Sequence, residues 1–493
     1  MKKLKLTTIF LIIVGFILSM AGLQKGYADE APDGNAPDGN ATFDIVLTKM
    51  KLNDLSGWPK GEGKDEYSGA KLDLQSYFGT TETLDGVHFE VYKKVKDKDK
   101  DTREFVTEGK TANGGQITFK GLKAGTYVIV ENKEESEVDT AEQLADSRAV
   151  PMEITLPVYK AGGGWFTTVA EENAVHVYPK NTVDQPTINK VVSEKYKHDT
   201  VAYGDKKTFT ITSEMPKGIA DYKVLKYFDQ FSKGLSYQGE LEVKKNDKTI
   251  PAENYILTEP SVGTREATIE VAFKEEYIKT LEAGDVITIT YEASINEDAE
   301  MGKANQNEAK VTYGHNPKNT KVNEVNDDPE LHTGGAKFVK QDRADQENKL
   351  GGAEFVVQNS EGKYLKQTVK NGVITETSWV DKEGEPTKFI SNAEDGTFEV
   401  TGLAYGSANQ PAAEAKSTYK LVEVTAPEGY ALLQEPIEFT VNASSYQDEN
   451  TITVNNSKVT IPQTGGIGSA IVIGLGLLAI SFGLVTKLKT VEK

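Results

Sequence analysis

Three polar residues in the last third of the chain fall in phase with apolar neighbours. In Tyr419-Lys-Leu-Val-Glu-Val, Glu423 shares a strand face with Tyr419 and Leu421. In Thr451-Ile-Thr-Val-Asn-Asn, Asn456 shares one with Ile452 and Val454. In Ala336-Lys-Phe-Val-Lys, Lys337 shares one with Val339. Side chains alternate along a strand, so this phasing predicts that a Lys, a Glu and an Asn all point inward. An unpaired buried charge costs several kcal/mol, so the three need a common explanation. An apolar site lowers a Lys pKa and raises a Glu pKa. A neutral Lys amine beside an Asn amide, with a protonated Glu polarising that amide, can form a Lys–Asn isopeptide bond and release ammonia. The competing reading is a solvated face, with each register misjudged by one residue. Asn455 is the alternative acceptor, of opposite phase.

Two further segments carry polar residues in apolar phase. Asn307, in Asn307-Glu-Ala309-Lys-Val311-Thr-Tyr313, is in phase with three apolar residues. Near the start, Lys49 is in phase with Phe43, Ile45 and Leu47, Glu131 is in phase with Tyr127 and Ile129, and Asn181 is the matching amide.

Other chemistries are poorly served. The 493 residues include no Cys, which removes thiol catalysis, Cys-ligated metals and disulfides. None of the five His pairs at helical spacing for zinc, and no metal or cofactor is expected. A net charge of −19 argues against nucleic acid as a partner. Asp97-Lys-Asp99-Lys-Asp101 with Glu108 has an EF-hand count, but Thr102 stands where Gly is required. A charged turn is the simpler reading. No Ser/His/Asp constellation stands out, and isopeptide triads react once on their own chain, so the protein is not expected to be an enzyme.

The elements that must hold these residues read as strands. Phe43-Asp-Ile-Val-Leu-Thr-Lys49, Lys207-Thr-Phe-Thr-Ile-Thr212, Val286-Ile-Thr-Ile-Thr-Tyr291 and Ile437-Glu-Phe-Thr-Val441 alternate strictly. Gly and Asn breaks between such runs predict an all-β chain of tandem Ig-like β-sandwich domains in an elongated rod. Short helices are expected within Glu134–Arg148 and Lys274–Leu281. Leu84-Asp-Gly86-Val-His-Phe89 repeats as Leu350-Gly-Gly352-Ala-Glu-Phe355, and Tyr127 to Glu131 repeats as Tyr419 to Glu423. The first and last domains are therefore versions of one sandwich. The predicted plan is a signal peptide over 1–28, a linker over 29–42, domains over 43–183, 184–331 and 332–460, and a tail over 461–493.

Both ends carry export signals. Lysines precede an apolar run to about Leu23, and Gly26-Tyr27-Ala28 offers a cleavage site. At the other end, Ile467 to Val485 is long enough to span a bilayer, with Lys487, Lys489 and Lys493 after it. Just before it, Ile461-Pro462-Gln463-Thr464-Gly465 resembles the sortase motif Leu-Pro-x-Thr-Gly. That resemblance implies cleavage after Thr464, transfer of its carbonyl to an amine, and a chain covalently attached to a Gram-positive cell wall.

The Lys-Phe-x-Lys-x-Asp opening at 337–342 and the box from Val422 to Tyr430 resemble B-type domains of the collagen-adhesin superfamily. The resemblance implies Lys337 as nucleophile, Glu423 as acid and Asn456 as acceptor. The middle domain is similar to the sister A-type, which implies Lys190, Asp229 and Asn307 in those roles. In the first domain the corresponding set is Lys49, Glu131 and Asn181. Val175-His-Val177-Tyr178-Pro179-Lys180-Asn181 resembles the pilin motif ending Val-x-Val-Tyr-Pro-Lys, although Glu171 stands where its Trp belongs and Trp165 lies six residues earlier.

In this order, the motifs resemble the major (backbone) pilins of Gram-positive sortase-assembled pili. This implies a pilus on which Thr464 of one subunit joins Lys180 of the next, supporting adhesion and colonisation. Implied partners are further copies of the chain, a pilus-specific class C sortase, a housekeeping sortase, ancillary pilins, peptidoglycan and a host surface ligand. The alternative is a monomeric wall-anchored adhesin binding a host ligand, for which Lys180 would be an ordinary strand-end lysine.

Overall fold

The computed structural model describes residues 37–56, 69–97, 100–148 and 150–459. The predicted signal peptide, the sorting motif Ile461–Gly465 with Thr464, and the apolar tail lie outside the described residues. Strands dominate throughout, arranged as successive two-layer sandwiches.

In the first sandwich, β1 (Thr42–Thr48) is the centre of a three-stranded sheet, between 116–123 and β3 (Val175–Val177). A four-stranded sheet containing β2 (Gly125–Asn132) forms the other layer. Phe43, Ile45 and Leu47 from β1 meet Phe89, Tyr127 and Ile129 in the core between them. β4 (Lys180–Asp184) runs parallel to 50–51 and antiparallel to 143–148.

The middle sandwich packs a five-stranded sheet, with β5 (Asn189–Val192) at its edge and β7 (Val286–Ile295) inside, on a seven-stranded sheet. The latter pairs β6 (Val224–Phe231) with β8 (Asn305–Asn316), Asp229 lying opposite Ala309. In the last sandwich, β9 (Gly334–Asp342) lies between 397–403 and β11 (Ile452–Asn456); β10 (Lys416–Thr425) sits in the facing six-stranded sheet. β9 and β11 run parallel, with Phe338 opposite Ile452.

Backbone and side-chain bonds join neighbouring sandwiches. The Tyr313 hydroxyl donates to the Ala141 carbonyl at 2.6 Å, and the Asn409 amide donates to the His198 carbonyl at 2.7 Å.

Two expectations need correction. Glu134–Arg148 is not helical: its second half, Gln143–Arg148, is a strand against β4, where Leu144 and Ala145 are buried. The propensity of Glu, Ala and Leu is overridden by the free edge of β4. Within Lys274–Leu281 only Glu275–Ile278 is helical, a single turn. One short helix was not anticipated: α1 (Leu74–Phe78), with Asp73 accepting from the Ser76 amide at its start and Gly79 in the left-handed region at its end. The Asp97–Glu108 run lies in the hairpin of strands 88–97 and 100–110.

Candidate functional site

Strand alternation brings three Lys, three acids and three Asn into the sandwich cores. In β6, Leu225, Tyr227, Asp229 and Phe231 face inward. In β8, Asn305, Asn307, Ala309, Val311 and Tyr313 do so. β10 buries Tyr419, Leu421 and Glu423, and β11 buries Val454 and Asn456. Each polar member takes the place of one apolar side chain in a run of period two, so its orientation is set by its neighbours.

In the first domain, Lys49 is fully buried and its amine contacts both Glu131 and the Asn181 amide oxygen. The Asn181 amide nitrogen donates to Glu131 Oε1 at 2.8 Å. Burial holds the Lys49 pKa below its ordinary value, opposed by the Glu131 charge.

In the middle domain, Lys190 Nζ lies 2.5 Å from Asp229 Oδ2, with both side chains buried. Desolvation lowers the Lys190 pKa to about 8 and raises that of Asp229. The acid does not touch the acceptor here. Asp229 Oδ2 accepts from the Tyr291 hydroxyl at 2.8 Å, and the Asn307 amide nitrogen donates to that hydroxyl at 2.7 Å. Asp229 Oδ1 and Asn307 Oδ1 are buried without a hydrogen-bond partner among the described residues. Such atoms cost about 1–3 kcal/mol each.

In the last domain the lysine that faces the core stands three residues beyond the predicted Lys337. Lys337 is on the outer face of β9, 26 % exposed, with its amine 2.6 Å from Asp448 and over the Tyr446 ring. Lys340 points inward instead. Its amine, shielded from solvent, donates to Asn456 Oδ1 and lies 3.7 Å from Glu423 Oε1. Asn456 Nδ2 donates to both Glu423 oxygens at 2.9 Å and to the Ala431 carbonyl at 3.0 Å. Burial lowers the Lys340 pKa to about 8. The alternative acceptor Asn455 faces outward and accepts from Gln341 Nε2 at 3.1 Å.

The misassignment has a physical origin. Phe338 and Val339 are adjacent, so an apolar residue stands in each phase of β9. Phase alone permits Val339 as the inward residue, but Phe338 is the core residue, packed on Phe398 and Phe439. The larger side chain buries more area and sets the face, which puts Ala336, Phe338 and Lys340 together. Tyr291, whose hydroxyl contacts both Asp229 and Asn307, was not among the predicted residues; it continues the inward phase of Ile287 and Ile289, which marks a core residue and nothing more.

Lys180 occupies a different environment. It opens β4 directly before Asn181, so alternation turns Lys180 outward where Asn181 turns in. Its amine donates to the Tyr178 carbonyl at 3.0 Å and lies 5.4 Å from the centre of the Phe78 ring. α1 holds Phe78 there, and the Tyr178 hydroxyl accepts from the Leu72 amide at 2.8 Å. Trp165 packs edge-on against Tyr159.

Residues 40–182 match the family of Gram-positive pilin subunit D1, N-terminal domain, and residues 334–458 match the SpaA prealbumin-like fold domain. Fimbrial subunit type 1 of Actinomyces viscosus is 24% identical over 92% of this chain and 91% of its own. The full-length RrgB pilus protein of Streptococcus pneumoniae superposes with a TM-score of 0.63 at 20% identity, covering 87% of this chain and 100% of its own. The full-length major pilin SpaD of Corynebacterium diphtheriae gives 0.51 at 22% identity, covering 86% and 99%.

Proposed function

We propose that this chain, which belongs to the Gram-positive pilin subunits, is the shaft subunit of a covalent surface pilus. In this reading a sortase breaks the Thr464–Gly465 peptide bond and joins the Thr464 carbonyl to Lys180 Nζ of the next copy. Gly465 leaves as the new amine of the released tail. The observation that carries the reading is Lys180, turned out of the first sandwich beside the inward Asn181. The linkage joins a site early in one copy to the end of another, a head-to-tail contact that produces an open filament.

Three internal cross-links would support the shaft. Lys49, Lys190 and Lys340 are the nucleophiles; Asn181, Asn307 and Asn456 are the acceptors; Glu131, Asp229 and Glu423 are the acids. In each, a Lys Nζ–Asn Cγ bond forms and the Asn Cγ–Nδ2 bond breaks; of the two protons the lysine ammonium gives up, one leaves on ammonia and the other stays on the acid. The buried ion pair becomes a neutral amide, which removes the cost of holding charges out of water.

The arrangement determines where tension runs. Load entering at Lys180 and leaving at Thr464 passes along the backbone only through 180–190, 307–340 and 456–464. The bonds at Lys190–Asn307 and Lys340–Asn456 bypass the rest. The Lys49–Asn181 bond lies off this path and serves stability of the first domain.

The experiment that tests the function is a muralytic extract of the native cell wall, run on a denaturing gel and probed for this chain. A high-mass ladder is the expected result. A single wall-linked band would replace the polymer by the monomeric adhesin.

Bond formation should also have a diagnostic pH dependence. Transfer of a proton from Lys190 to Asp229 leaves the proton count of the pair unchanged. The reactive form, neutral amine with protonated acid, is therefore a constant fraction while the pair holds one proton. The pair loses that proton above about 8, the depressed value of Lys190. The rate in chain refolded from the unreacted, unfolded state should be flat near neutrality and fall about tenfold per pH unit above that point. A rate that keeps rising with pH, as for a simple amine, would contradict the shared-proton mechanism.

A further inference from the structure

The three sites differ in how the acid reaches the acceptor. Glu131 and Glu423 accept directly from the amide nitrogens of Asn181 and Asn456, at 2.8 and 2.9 Å. Asp229 is one methylene shorter, and in its site the Tyr291 hydroxyl stands between acid and amide. We propose that Tyr291 is a fourth catalytic residue of the middle domain, relaying the proton from Asp229 to the departing nitrogen of Asn307. This rests on the isopeptide reading above.

The geometry sets the sequence of transfers. Lys190 Nζ gives a proton to Asp229 Oδ2, 2.5 Å away, and its lone pair attacks Asn307 Cγ. The Cγ–Nδ2 bond breaks as Nδ2, 2.7 Å from the hydroxyl, takes the tyrosine proton. The Tyr291 oxygen is reprotonated from Asp229 across 2.8 Å. The second proton of the attacking nitrogen passes to Asp229, so the products are a Lys190–Asn307 amide, ammonia, Tyr291 with its hydroxyl restored, and Asp229 as the neutral acid. No water is required, which suits a site in which Lys190, Asp229, Tyr291 and Asn307 are all buried.

A phenol serves here only as a conduit. Burial and the Asp229 charge raise the Tyr291 pKa well above its ordinary value, so the ring does not persist as a phenolate. Its proton moves in only as another moves out. The ring is held in place by stacking on Phe231 and Phe209, with centroids 5.4 and 5.8 Å away. Those contacts do not involve the hydroxyl, so Phe at this position retains the packing and removes the relay alone.

The test uses the mature chain, refolded from the unreacted state, quenched at intervals and digested. Mass spectrometry then follows the 190–307 linked peptide, with the Lys49–Asn181 and Lys340–Asn456 peptides as controls in the same molecules. Tyr291→Phe should slow the middle bond by about 100-fold or more, the usual contribution of a positioned general acid, and leave the control bonds at the wild-type rate. Asp229→Glu combined with Tyr291→Phe should recover much of the rate, because the longer acid reaches the amide directly, as at the other two sites. A Tyr291→Phe chain that reacts as fast as wild type would overturn the relay. So would a deficit that Asp229→Glu does not restore, since the hydroxyl would then matter only for packing. Absence of the middle linked peptide from the wild-type chain would instead overturn the isopeptide reading itself, and the relay with it.

Discussion

Lys180→Ala is expected to collapse the wall-extracted ladder to monomer, and Lys180→Arg is expected to do the same. The two variants separate chemistry from folding. Alanine removes the contact over Phe78, worth about 0.5–1 kcal/mol at an exposed site, and the bond to the Tyr178 carbonyl. Arginine has the charge and length to replace both. Its guanidinium stays protonated and does not attack a carbonyl. β4 should form in either variant, because its pairing with 50–51 and 143–148 uses the backbone and Asn181 still fills the core. Both variants should remain on the cell surface, since export and wall attachment do not use Lys180. A ladder that persists in Lys180→Arg would mean that another lysine is the acceptor, and the motif at 175–181 would be only a strand that ends at a proline turn.

Purified wild-type protein should be three ammonia lighter than its sequence mass, Lys337→Ala also three, and Lys340→Ala only two. The distinction is sharp because the two lysines are on one strand but on opposite faces. Lys337 makes an exposed ion pair with Asp448, whose side chain is 90 % accessible, so its loss costs about 0–1 kcal/mol. Lys340 and Asn456 are 116 residues apart in sequence. Closing a loop of that length constrains the unfolded chain by about 5 kcal/mol. Spread over a domain of this size, that corresponds to a fall of roughly 15–20 °C in the melting temperature of the last sandwich. Truncation also strands Glu423, which would have to be protonated or find water. Differential scanning calorimetry should therefore show one domain melting early in Lys340→Ala and no change in Lys337→Ala. A two-ammonia deficit in Lys337→Ala would reverse the assignment of the nucleophile.

Of the three proposed cross-links, two would lie in the load path from Lys180 to Thr464 and one beside its entry. Asn181 is the residue after Lys180, so a bond from Asn181 to Lys49 ties the strand that receives the neighbouring subunit to β1, the central strand of its own sheet. β4 is otherwise held by a few backbone bonds to 50–51 and 143–148. The bond would hold β4 in its own sandwich while tension entering at its first residue passes along the backbone toward Lys190.

Much of this was readable without coordinates. Alternation at Glu423 and Asn456, at Asn307, and at Lys49 and Glu131 specified which polar side chains face inward, because a period of two leaves no intermediate orientation; Asp229 and Lys190 followed from the resemblance to A-type domains. The Val-Tyr-Pro-Lys-Asn stretch likewise implied one lysine out and one asparagine in. What the alternation could not settle was β9. Adjacent Phe338 and Val339 satisfy both phases, and only the packing of Phe338 on Phe398 of the neighbouring strand and Phe439 of the facing sheet decides between Lys337 and Lys340. Tyr291 belongs to the same category. It lies on β7, in the sheet opposite Asp229 and Asn307, and nothing in its local sequence distinguishes a core tyrosine from one whose hydroxyl bridges two partners. Strand phase is a local property of the backbone, legible one segment at a time. The meeting of a lysine, an acid, a phenol and an amide from four strands is made by packing one sheet on another, and that exists only in the tertiary structure.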